Sequence, residues 1–448
     1  MNPSRTCRAF ALAAVFLGAC VSLAQDAATA PPQDTQAAAD AIAREIEQIR
    51  GLTFKQPVHV ENQSIEDFSK YVSREMDEAV PQPLQKHYGA IVRTLGLYRG
   101  PPIEDFSALM KTVLTSQVGA YYDPQKRSFF VLMANMPDMA LGVMYSHELY
   151  HALQDQYFDL VKYIDGDRKD GKPRNADQHL ARSAVVEGEA SYMMSLWMMQ
   201  KMTGKPPARD MMATVVSMHA NMSMDKLREM MKQPEVAKMM GDDMKGAVDS
   251  AANIPEFIMD SMIGVYLRGM SFVFAVHEQG WPAVEKLYSE YPPQSTEQIL
   301  HPEKWLAREV PVDFTWPKLD KAKALRGWEL LDDDVLGEFQ WRSVFKEQGF
   351  ATEAESVAAG WGGDRYAVFK RKDSDAMLLL LRTTWDNEAE AKEFADAYAR
   401  VQASKYGEAR VPVRLEHKGV DVFIVEGGDA ASTEVLLKLV KGAKVKRT

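Results

Sequence analysis

Cysteine is nearly absent from this chain. Its two cysteines, Cys7 and Cys20, both fall within the first twenty of 448 residues, so the remainder has no disulfide to draw on. Positive charge is also scarce: 53 lysines and arginines against 63 aspartates and glutamates leave a net charge of -10. That balance excludes the basic surface needed to neutralise phosphates, and with it a nucleic-acid partner. No Gly-x-Ser-x-Gly occurs, which removes the serine-hydrolase elbow, and Gly360 to Gly363 lacks the lysine and following helix of a phosphate-binding loop. Past the leader no transmembrane helix is expected, and a hydrophobic content of 46% is that of a soluble protein with a sizeable core.

Residues 1–24 read as an export signal. Arg5 and Arg8 give a short positive start, and Ala9 to Leu17 an apolar stretch too short to span a bilayer. Leu17-Gly18-Ala19-Cys20 is similar to a bacterial lipobox, which would make Cys20 a lipid anchor; Ser22-Leu23-Ala24 instead fits ordinary cleavage before Gln25. Either route predicts an exported protein, periplasmic or tethered to the cell envelope if Cys20 is acylated, otherwise secreted.

The length predicts more than one globular unit. Residues 25–38 are an Ala-, Gln- and Pro-rich spacer, and 39–118 an N-terminal helical subdomain with a short strand at Val58 to Val60. Residues 119–132 carry a turn at Asp123-Pro124 between aromatic flanks and predict a hairpin. Helices follow from Met139 to Leu160, from His179 to Lys201 and through 209–291. The methionine pairs among them, at helical spacing, predict packing rather than copper ligation. Residues 318–448 alternate strand and helix patterns and predict a small C-terminal α+β domain, for an overall class of α+β.

The chemistry concentrates in Tyr145-Ser146-His147-Glu148-Leu149-Tyr150-His151-Ala152-Leu153-Gln154-Asp155. Residues four apart share a helix face, so His147 and His151 can aim both imidazoles at one point, as a zinc ion requires. Glu148 is then placed as general base for a water at that ion. A third ligand must come from elsewhere, and Val185-Val186-Glu187-Gly188-Glu189-Ala190 offers two carboxylates in an apolar helix. Glu187 is the expected ligand and Glu189 the alternative. Two histidines satisfied by backbone or water remain the plainer reading of the same helix.

These two segments resemble the gluzincins, the thermolysin-like zinc peptidases. The resemblance spans about residues 119–195. It implies a mostly helical zincin-like catalytic domain over 119–317 with an edge hairpin, His147, His151 and Glu187 as zinc ligands, Glu148 as catalytic base and Asp155 as a supporting acid. A peptide or protein would be the substrate. An oxyanion donor is still needed, and His301, in a polar proline-bounded segment, is the first expectation, with Tyr266 the second. The alternative function is an envelope lipoprotein that binds zinc or a partner without catalysis.

Overall fold

The apolar spacing of Ile42, Ile46 and Ile49 becomes helix α1 (Thr35–Arg50) in the computed structural model, which describes residues 35–446 apart from 80–81, 101, 104, 118, 133–137, 167–173, 223–228, 230–254, 408 and 410. The leader, Cys20 and the methionine pairs at 230–231 and 239–240 lie outside the described residues. Helix α1 starts inside the segment read as spacer. Strand β1 (His59–Asn62) and helices α2 (Ile65–Ala79), α3 (Gln82–Leu95) and α4 (Phe106–Gln117) follow. The hairpin is present as β2 (Ala120–Asp123) and β3 (Ser128–Val131), and β1 adds to it in parallel, giving the order β1-β3-β2.

Helix α5 (Asp138–Phe158) runs into α6 (Leu160–Asp165) through Asp159, whose left-handed backbone and side-chain bond to Lys162 N break the first helix and start the second. Helix α7 (Ala176–Thr203) is capped by Asn175 and ended by Gly204, and α8 (Arg209–Ala220) follows. Further on, α9 (Glu256–Met259), a π turn (Asp260–Gly264) and α10 (Val265–His277) run as one rod. Its stretch Phe257–His277 is long and apolar enough to cross a membrane, yet 72% of its apolar window is buried inside the fold. It is the third layer of a stack in which α7 packs between α5 and α10.

Gly188 on α7 meets Gly269 on α10 backbone to backbone. A Cβ on Gly188 would lie 2.1 Å from the Gly269 carbonyl carbon, and one on Gly269 2.0 Å from Ala184 O. Alanine at 188 normally gains about 1 kcal/mol of helix propensity over glycine, but here it must push two helices apart. We expect Gly188→Ala to lower unfolding stability by about 2 kcal/mol or more, read by urea denaturation; a neutral or stabilising result contradicts the close crossing.

Beyond the short helices α11 (Trp281–Glu285), α12 (Thr296–Leu300) and α13 (Pro302–Leu306), strand β4 (Asp313–Thr315) pairs with the last strand, β10 (Lys444–Lys446). Between them lie β5 (Trp328–Asp334), α14 (Gly337–Glu347), α15 (Ala354–Ala358), β6 (Trp361–Arg371), β7 (Met377–Trp385), α16 (Glu388–Tyr406), β8 (Val413–Lys418), β9 (Asp421–Gly427) and α17 (Ala430–Lys441). The five strands form an antiparallel sheet in the order β5-β6-β7-β9-β8. Strand side chains alternate faces, which explains the run Leu378 to Leu381. Leu379 and Leu381 face one apolar cluster, while Leu378 and Leu380 face another under α17.

The fold is α+β, as expected. Its cores do not follow the divisions at 118 and 317: β4 lies before 317 yet pairs with β10, and a single apolar cluster joins Phe68, Ile91 and Leu95 to Trp341, Phe394 and Tyr398. Met193 and Met212 are core residues, in keeping with methionine as packing.

Candidate metal centre

Helix α5 is buried without interruption from Gly142 to Gln154, so its two histidines are held in the interior rather than on a solvated face. Helix α7 lies beside it and supplies Glu187. Nε2 of His147 is 3.1 Å from Nε2 of His151, and Glu187 Oε2 is 3.3 Å from the first and 3.2 Å from the second. Zinc bonds of about 2.0–2.1 Å in a tetrahedron separate ligand atoms by about 3.3–3.4 Å. The three atoms therefore outline one face of such a tetrahedron.

Charge is arranged to match. Burial pushes the Glu187 carboxyl up, but His151 and His147 outweigh it and hold the group down to about 2, leaving a carboxylate ready to ligate. Burial drives His147 down, whereas on His151 the Glu187 carboxylate overcomes burial and draws the ring up to about 9. The positive charge that Glu187 attracts is the one a metal cation would replace.

Glu148 adjoins this group without belonging to it. Its Oε2 accepts from the Tyr122 backbone N–H of β2 at 2.9 Å, while Oε1 is buried with no hydrogen-bond partner. Burial is the main force raising this carboxyl to about 8. An orphaned acceptor costs about 1–3 kcal/mol unless something donates to it, and a water at the metal's remaining position would do so. Two imidazole nitrogens, one carboxylate oxygen and a waiting acceptor fit a zinc ion with an open coordination place.

Behind these three residues lies a set that spacing alone did not assign. His151 Nδ1 donates to Gln154 Oε1 at 2.9 Å, which orients the ring with Nε2 toward His147 and Glu187. Gln154 Nε2 in turn donates to Val186 O and to Glu189 Oε2, each at 3.0 Å. Glu189 also accepts from Tyr150 at 2.5 Å and from Tyr288 at 2.6 Å, and pairs with Arg50 Nε at 3.3 Å. The alternative ligand is thus an anchor for Gln154 and through it for His151. Asp155 accepts from Tyr122 Oη at 2.9 Å and Leu160 N at 3.0 Å, tying the end of α5 to the strand that bonds Glu148. Arg50 and Tyr288, 139 and 99 positions from Glu189, left no local signal in the sequence.

Tyr266, at the start of α10 beside the glycine crossing, is buried near the group. Burial first, then the charges of Glu187 and Glu148, push its hydroxyl well above its ordinary value, so it stays a donor. His301 is not brought to the metal group. The polar segment read as a loop at the site mouth forms α12 and α13, capped by Ser295 and started by Pro302, and the ring of His301 bonds Glu338 Oε1 at 3.0 Å. Helix capping accounts for the polar residues and proline that suggested a loop. Strand β2 is a sheet edge, but its four residues are buried and the outward Tyr122 N–H is taken by Glu148. The other converging acids among the described residues, Glu297, Glu309 and Asp386, already surround the Lys304 ammonium.

Residues 327–439 match the model of a family described as a domain of unknown function, DUF8575. That match covers all five strands of the C-terminal sheet and begins far from His147, Glu148, His151 and Glu187 in sequence. No curated protein and no solved structure matches the chain.

Proposed function

We propose that the protein is an exported zinc-dependent metallopeptidase that hydrolyses peptide bonds in a peptide or protein substrate. The observation that carries the reading is the spacing of 3.1–3.3 Å among the Nε2 atoms of His147 and His151 and Oε2 of Glu187, with the unpartnered Oε1 of Glu148 alongside. A bound zinc ion supplies Lewis acidity toward the scissile carbonyl and acidifies water.

The chain's own residues supply the rest. Tyr122 N–H holds one oxygen of Glu148, so the other is positioned to take a proton from the attacking water and pass it to the leaving amine. A carboxyl raised toward neutrality both accepts and releases a proton, as that double role requires. Tyr266 replaces His301 as the proposed donor to the oxyanion, because its protonated hydroxyl lies within electrostatic reach of Glu187 and Glu148. Gln154 and Glu189 keep the His151 ring from turning.

The leader and Cys20 belong to the same proposal as its route to the envelope, lipid-anchored or freely soluble. Mass spectrometry of the native N-terminus distinguishes acylated Cys20 from free Gln25.

The test of the metal is direct. Purified protein should carry one zinc per chain by inductively coupled plasma mass spectrometry, and His151→Ala and Glu187→Ala should each lose it. Dialysis against a chelator should abolish cleavage and added zinc restore it. Wild-type protein without stoichiometric metal sinks the reading. Tight zinc with no cleavage of any peptide favours the non-catalytic zinc-binding envelope protein instead.

A further inference from the structure

Between α3, α7, α10 and β5 the structure contains a cavity of about 120 Å³ with mainly apolar walls. Tyr266 lines it and is the link to the site, since the same hydroxyl feels Glu187 and Glu148. Helix α7 is a second link. His179, Ser183 and Glu187 fall four apart on one face, and Ser183 and His179 line the cavity. The wall therefore begins about one helical turn, roughly 6 Å along the axis, from the proposed ligand.

The lining has a polar side with no role in the chemistry above. Ser183 Oγ, Gln340 Oε1 and both ring nitrogens of His179 are buried without a hydrogen-bond partner, although His179 is only 2% exposed and its one ion-pair neighbour, Asp165, is 3.4 Å away. Asp332 and Asp334, alternate residues on β5, line the same space. Asp332 accepts from Tyr366 Oη and Asp333 N, and Asp334 from Ala176 N and Val335 N. Neither has a cationic partner at ion-pair distance among the described residues, and Arg365 on the neighbouring strand is committed to Asp333 at 2.6 Å. Burial pushes Asp334 up to about 7, with the charge of Asp332 adding to it, and Asp332 up to about 6. Buried carboxylates are stable as anions only when paired. Among the described residues no lysine or arginine lines this cavity.

We propose that the cavity is a specificity pocket that takes the side chain of a lysine or arginine residue flanking the scissile bond, with its methylenes along Ile91, Leu95 and Val265 and its charged head at Asp332 and Asp334. This rests on the peptidase reading for its use, though not for its geometry. Side chains with long aliphatic stems and charged heads bury in this divided manner, and a neutral guest would leave both acids without a counter-ion.

The zinc-loaded full chain is incubated with a peptide library varied at both flanks of each bond, and products are read by mass spectrometry. Cleavage should favour lysine or arginine over norleucine on one flank by about tenfold or more, and Asp332→Asn/Asp334→Asn should lower that ratio about tenfold. Ser183→Leu, which fills the cavity from α7 without touching the acids, should lower it as well. Cleavage indifferent to basic residues overturns the pocket and leaves the peptidase reading intact. No cleavage at all, with zinc bound, removes the peptidase reading instead. Calorimetric titration with Nα-acetyl-lysine amide and Nα-acetyl-norleucine amide then decides the pocket. Binding of the lysine compound alone, lost in the double variant, supports it, and equal or absent binding of the two overturns it.

Discussion

Glu148→Gln should retain one zinc per chain and lose about 10²–10⁴-fold in kcat for peptide hydrolysis, the range that a positioned acid–base group supplies. The retention follows from geometry, because the three converging atoms belong to His147, His151 and Glu187. A glutamine oxygen can still accept the Tyr122 N–H that Glu148 Oε2 accepts at 2.9 Å, so the side chain should keep its place. What changes is the other end. Oε1, now an acceptor with no partner, becomes an amide NH₂ that donates and cannot hold a proton. Metal content and kcat measured on one preparation separate the two effects. Activity within a few-fold of wild type would remove Glu148 from the mechanism, and loss of zinc would make it a ligand.

Arg50→Met should cost about 3–5 kcal/mol of stability, since removing one partner leaves the other buried and uncompensated. Arg50 and Glu189 are 2% and 0% exposed, and the arginine also meets Tyr150 at 2.8 Å and the Trp281 ring at 4.4 Å. Methionine keeps much of the stem and removes the charge. A reduction of about 10–100-fold in zinc affinity should accompany the loss, the usual effect of disturbing residues that orient metal ligands, because Glu189 anchors Gln154 and Gln154 anchors His151. Pairing the change with Glu189→Gln should recover part of the stability, as the orphaned charge is then gone. Urea unfolding of the two single variants and the double one gives the coupling; additive effects would show that Arg50 and Glu189 act separately.

How much of this was legible in the residues depends on the distance over which each argument works. The pairing of His147 with His151 is a local consequence of helical periodicity. Glu187 was legible as the expected ligand because a carboxylate in an apolar helix demands a partner, with Glu189, which makes the same demand, left as the alternative. Packing separates the two: Glu187 faces α5's histidines, while Glu189 faces Tyr150, Tyr288 and Arg50. Arg50 ends α1, and the apolar spacing of Ile42, Ile46 and Ile49 carries no sign of a partner 139 positions away. His301 misled because the features that mark a site loop, polar side chains beside proline, also cap short helices. Tyr266 reaches the site through the contact of Gly188 with Gly269, which no periodicity announces. The C-terminal hairpins and helices were readable by alternation, but the sharing of their core with α2 to α4 was not, since that needs contacts across most of the chain.

That sharing bears on how the molecule is made. Lys405 on α16 bonds Thr94 O on α3 across 311 positions, and Gln348 after α14 bonds Gly96 O across 252. Helices synthesised early must wait for strands that emerge last. Native topology dominated by such remote pairings folds slowly and keeps apolar surface uncovered meanwhile. A nascent chain with these apolar faces still open would depend on holdase chaperones until its final segment arrives.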